Sequence, residues 1–140
     1  MNIRLIFFNF TVIIVLTSSD LKKTVEFYKN ILEMDIKEDF IKEDNSLRYS
    51  LHFGNQKINI HEANNLFFPH AKKVQPGSLD ICFISKKKVS YWQNKLLKNN
   101  INLIEGPLER SGANSKIISI YCNDPDGNLI EISNLLKNND

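Results

Sequence analysis

Glu131 stands between Ile130 and Ile132 in NLIEIS, a segment that reads as a strand with little other polarity. A carboxylate there needs an ion-pair partner, a metal or an outward path to water, because burying an unpaired charge is costly. Asp80 in SLDICFIS poses the same question. It reads either as a group lining a site or as a strand-start residue bonding the turn amides after Pro76–Gly77. His61 in QKINIHE can be a ligand, a general base near neutral pH, or a satisfied histidine at a strand end. Asn59 lies two residues earlier, so both side chains leave the same face of the strand. Its amide oxygen can orient a ligand or a water, or merely fill space. Arg110 in GPLERSGANS can clamp a carboxylate or phosphate, or be an exposed loop charge. Tyr121 and Cys82 fall on strand-like runs, where such residues usually belong to the core. Cys82 shares Asp80's parity and is the better site candidate. His52, before a hairpin turn, and His70, in a loop, are assigned no chemistry.

The elements that must position these groups fall into two similar halves. Residues 11–17 (TVIIVLT) read as a strand, and Asp20 is a good N-cap for a helix over 21–32, with Leu21, Val25, Tyr28 and Leu32 at helical spacing. Alternation then marks strands over 34–40, 46–53 and 56–62, with Gly54–Asn55 as the hairpin turn. A loop over 64–77, containing Pro69, Pro76 and Gly77, leads to the second half. There a strand over 78–85 precedes a helix over 89–99, with Trp92, Leu96 and Leu97 on its apolar side. Strands follow over 101–105, 116–122 and 128–133, with Gly106–Pro107 and Asp124-Pro-Asp-Gly127 as turns. Gly54–Asn55 and Gly127–Asn128 match between halves, the mark of a duplicated module.

With 140 residues, 42% hydrophobic and 24% charged, the chain fits one globular domain that buries roughly two-thirds of its unfolded surface. A net charge of +2 with interspersed signs gives no reason to expect nucleic acid. The short lysine clusters (Lys22–Lys23, Lys72–Lys73, Lys86–Lys87–Lys88) read as solvated surface. Cys82 and Cys122 show neither zinc spacing nor a disulfide framework, and read as buried, reduced thiols in a cytoplasmic protein. The apolar run 5–16 is too short to cross a bilayer. We read residues 1–10 as an apolar leader to the first strand, a signal peptide over 1–19 being the second reading.

The stretches TSSDLKKTVEFYKNILEMDIKE, LHFGNQKINIHE, PGSLDICFI, EGPLERSGA and SIYCNDPDGNLIEISN closely resemble short single-domain proteins of the vicinal-oxygen-chelate superfamily (glyoxalase, bleomycin resistance, dioxygenase). The resemblance covers about residues 11–134. It implies an α+β fold in which two βαβββ modules, about 11–63 and 78–134, form a curled mixed-sheet cup, with 135–140 as a tail. It also implies metal ligands on the first and last strand of each module, where an ion with open positions acts as a Lewis acid on vicinal oxygens. Carried over residue by residue, Glu131 takes the last-strand position and Asp80 the first-strand position of module two. Asn59 corresponds to Glu131, with His61 beside it. The remaining position holds Ile13 where the family pattern has histidine, and no histidine lies upstream of His52. The resemblance places Arg110 beside Gly112 at a substrate clamp, and Tyr121 and Cys82 in the cup wall.

Three functions follow. The first is a divalent-metal-dependent lyase, isomerase or dioxygenase-like enzyme, with Glu131 and His61 catalytic and Glu131, Asp80 and His61 as ligands. Such a set suits manganese, iron or magnesium better than zinc or nickel. The second is a non-catalytic binder that sequesters a small molecule, as bleomycin-resistance proteins do; a degenerate paralogue serving oligomerisation is a third. The expected partners are a small molecule and a second copy in a homodimer, with neither nucleic acid nor membrane.

Overall fold

The computed structural model describes residues 12–136; residues 1–11, with the leader, and 137–140 lie outside them. Strand β1 (Ile13–Ser18) leads into α1 (Leu21–Glu26), whose last turns over Phe27–Ile31 are π-helical. Then come β2 (Asp35–Ile41), β3 (Ser46–Phe53) and β4 (Gln56–Glu62). The second module is β5 (Asp80–Ile84), α2 (Val89–Lys98), β6 (Glu105–Ser111), β7 (Lys116–Asn123) and β8 (Leu129–Leu135). Each module makes one four-stranded mixed sheet, in the order β1-β4-β3-β2 (sheet A) and β5-β8-β7-β6 (sheet B). This is the expected α+β pair of βαβββ modules.

The duplication is visible in the register. The parallel pair β1–β4 matches Ile13 with Lys57, Val15 with Asn59 and Thr17 with His61. The parallel pair β5–β8 matches Asp80 with Leu129, Cys82 with Glu131 and Ile84 with Ser133. Ile13 and Asp80 are therefore equivalent positions, as are Asn59 and Glu131.

Local chemistry explains the element ends. The Asp20 side chain accepts from the Lys23 amide at 3.2 Å, capping α1. In the turn before β8, Asp124 Oδ1 accepts from the amides of Asp126 at 3.0 Å and Asn128 at 2.9 Å. Leu16, Tyr28, Leu51, Ile58, Leu96, Ile120 and Ile130 are among the fully buried residues of one core shared by both modules. Inside it the Tyr28 hydroxyl donates to Asp124 Oδ2 at 2.9 Å, joining the first module's helix to the second module's turn.

Three expectations are corrected. The helix expected over 21–32 stays α only to Glu26 before widening into its π turn. No strand forms over 101–105; Ile101 and Leu103 pack against the core as loop residues, and β6 starts at Glu105. Gly106–Pro107 is no turn but lies inside β6, where the register shifts between Glu105 and Leu108. That bulge absorbs the proline. It also needs glycine: at Gly106 (φ +100°) an added Cβ would come within 2.4 Å of the Ser119 carbonyl oxygen. Consequently Arg110 sits on a strand, opposite Ile117, rather than in a loop.

Candidate functional site

Alternation gives each sheet one face on the core and one facing away from it. On sheet B, Ile81, Phe83, Ile130 and Ile132 point inward. Asp80, Cys82, Tyr121, Glu131 and Ser133 therefore share the outer face, by strand parity and register. The Tyr121 hydroxyl donates to Glu131 Oε1 at 2.9 Å and the Ser133 hydroxyl to the same oxygen at 3.2 Å. Ser119 and Ser133 share a further bond at 2.7 Å, and Cys82 Sγ lies 3.5 Å from the Ser133 hydroxyl. Burial raises the Glu131 carboxyl, but hydrogen bonds from Ser119, Tyr121, Ser133 and Cys82 together outweigh it, leaving the group below its ordinary value. Glu131 is thus an anion at neutral pH, held in one orientation by its hydrogen bonds. Arg110 lies over the Tyr121 ring at 5.7 Å and donates to Glu105 Oε2 at 3.0 Å, while its side chain remains exposed. Contrary to expectation Cys82 is exposed, and burial of its sulfur with the nearby Glu131 and Asp80 carboxylates raises its thiol, so it is no thiolate nucleophile.

Sheet A carries the other candidates. Val15, Thr17, Asn59 and His61 line a cavity of about 410 Å³, closed over by Phe67, Pro69, His70, Lys73 and Gln75 from the β4–β5 loop. His61 is buried, and burial, followed by the charges of His70 and Arg48, holds its imidazole below the usual value and hence uncharged at neutral pH. Ile13, opposite Lys57 on β1, is 54 % exposed. It offers no donor atom.

The structure therefore brings Asp80, Cys82, Tyr121, Arg110 and Glu131 to one sheet face, and Asn59 and His61 to the face of the other. A divalent ion needs several donors at one point. Among the described residues no three His, Cys, Asp or Glu side chains approach closely enough to hold one. Glu131 Oε1 is already bonded to Tyr121 and Ser133. Among the described residues, the donors of a single chain do not fit a metal.

Comparison with known proteins places this arrangement. The sequence profile of the Glyoxalase/Bleomycin resistance protein/Dioxygenase superfamily matches residues 11–132. The chain belongs to that superfamily. Within it, the chain is 43% identical over 120 residues to Virulence protein STM3117 of Salmonella typhimurium, covering 86% of this chain and 80% of that protein. The crystal structure of STM3117 superposes with a TM-score of 0.81 over 91% of this chain and 98% of that one. Glyoxalase domain-containing protein RDO1 of Mycosarcoma maydis is 41% identical over 86% of this chain, which spans 65% of RDO1's length. Integron cassette protein VCH_CASS1, from the mobile metagenome of V. cholerae, is 39% identical with a TM-score of 0.79, covering 89% and 94% of the two chains. This glyoxalase-superfamily fold is what sets the two outer faces and their equivalent strand positions. No helix among the described residues is long and apolar enough to cross a membrane.

Residue-by-residue reading missed Arg48, Phe67 and Lys73. Arg48 lies on β3, two residues from Ser50, the partner of Asn59, and so shares the face of His61. The signal was present in LFFPHAKK: adjacent aromatic residues in an otherwise polar, proline-containing loop.

Proposed function

We propose that this protein binds a small molecule between the outer face of sheet A in one copy and that of sheet B in a second copy, and that it holds its ligand without metal chemistry. The observation that carries the reading is Glu131, an ionised carboxylate fixed by Tyr121 and Ser133 on a face that the described residues leave open. Beside it Ile84 is 52 % exposed, and on the other sheet Ile13 and Val15 are 54 % and 47 % exposed. These apolar residues, exposed on sheet B and on the β1 edge of sheet A that the β4–β5 loop does not cover, favour association. The charges are complementary in balance: Asp80, Glu105 and Glu131 outweigh Arg110 on sheet B, and Lys37, Arg48 and Lys57 outweigh Asp39 on sheet A. In a two-fold pair each face meets its complement twice.

A metal-dependent lyase or isomerase is the second reading. It draws on the protonation states that coordination requires, Glu131 ionised and His61 uncharged. Thermal-shift screening of the purified chain against small amphiphiles, with and without manganese or nickel, separates the two. The binding reading expects stabilisation by organic ligands that is indifferent to metal and lost in Glu131→Gln. Stabilisation by metal alone, or an absence of any organic ligand, contradicts it.

A further inference from the structure

The loop between β4 and β5 folds an aromatic ring onto the outer face of sheet A. The Phe67 centroid lies 4.0 Å from that of the His61 imidazole, and the Arg48 guanidinium carbon sits 3.8 Å from the Phe67 centroid. Leu66 and Phe68, its chain neighbours, are exposed. The ring lies under the guanidinium and meets the imidazole at a tilt of 50°. It does so at a cost: His61 is only 4 % exposed, and its Nδ1 is buried with no hydrogen-bond partner. A phenyl ring packed beside the imidazole offers that nitrogen no acceptor.

Phe67 is also a partition. On one side lies the cavity of about 410 Å³ above Thr17 and His61; on the other is one of about 180 Å³ lined by Asp39, Arg48 and Lys57. Asn59 and Phe67 line both. Arg48, Lys57 and Lys73 set three cationic side chains around the pair, against the carboxylates of Asp39 and of Asp44, the ion-pair partner of Arg48. The floor keeps a net positive charge and favours an anion, and the guanidinium over the ring favours a flat conjugated group.

We propose that a planar aromatic carboxylate displaces the Phe67 ring and takes its place between Arg48 and His61. The ligand's π face stacks on the guanidinium, and its carboxylate offers the acceptor that His61 Nδ1 lacks. Phe67 holds that place in the unliganded chain. The inference rests on the small-molecule reading above but needs neither Glu131 nor a second copy.

Benzoate and its neutral analogue benzamide are the probes, titrated into the full chain and followed by NMR at the His61 ring nitrogens and the backbone amides of residues 57–74. Benzoate is expected to shift these signals, and benzamide to bind roughly tenfold more weakly. Arg48→Met should weaken benzoate by about tenfold. Phe67→Ala should bind benzoate several-fold more tightly while lowering the urea midpoint. Phe67→Leu, which keeps bulk but not the flat ring, should move affinity the same way if the alanine variant unfolds. Equal binding of benzamide, or no gain of affinity in either Phe67 variant, overturns the proposal. Screening hits that perturb Glu131 while benzoate leaves His61 untouched would overturn it and leave the small-molecule reading standing.

Discussion

The Tyr121 hydroxyl donates to Glu131 Oε1 across the β7–β8 ladder, where the two residues are direct partners. A cross-strand pair of this kind holds a carboxylate in one orientation and one charge state. Both consequences are measurable.

Replacing Tyr121 by phenylalanine removes a donor that favours the charged form while keeping the ring and the strand. The Glu131 carboxyl should then titrate at higher pH, with Ser119, Ser133 and Cys82 still holding it in part. Carbon-detected NMR of the Glu131 side chain reads the change. An unaltered titration would mean that Tyr121 does not set the charge of this site.

How much of this was legible in the sequence depends on the range of the interaction. The duplicated modules and the shared face of Asp80 and Cys82 follow from period-two alternation and the Gly-Asn turns, which are local. The β6 bulge was not legible, because Gly106 is required by the approach of Ser119 from another strand. Arg110 was assigned to a loop for the same reason. Phe67 escaped notice because its partners, Arg48 and His61, come from two strands that the loop must fold back to reach. Glu33 was equally invisible: it follows the π turn with φ +61° and gathers Lys87, Lys95 and Tyr91 from around α2.

That cluster makes a pH prediction. Hydrogen bonds from Lys87, Lys95 and Tyr91 lower the Glu33 carboxyl from 4.5 to about 2. A carboxyl that titrates lower folded than unfolded supports the fold above its unfolded value and loses that support as pH falls through the folded one. Between about pH 5 and about pH 2 the parent should lose stability more steeply than Glu33→Gln. The difference should be small and shrink with salt, because the groups are largely solvated. Parallel urea curves across that range would contradict the assignment.

Ile13 gives a prediction about metal. It sits at the position equivalent to Asp80, on the same sheet face as Asn59 and His61, and supplies no donor. In the pair of copies, Ile13→His adds a nitrogen donor facing the carboxylates of sheet B in the second copy and should acquire stabilisation by manganese or nickel that the parent lacks, read as a metal-dependent rise in Tm. A parent that responds to metal as strongly as the variant would show that Ile13 is not what withholds the ion.

The central claim is that the binding site is closed by two copies, sheet A of one against sheet B of the other. Its most direct test is an isotope-mixed sample, half labelled and half unlabelled, examined by filtered NMR for contacts between copies. Nuclear Overhauser effects from the Ile13 and Val15 methyls of one copy to Ile84 of the other are the result expected. A monomer at working concentration, or a dimer in which those methyls meet only solvent, would contradict it.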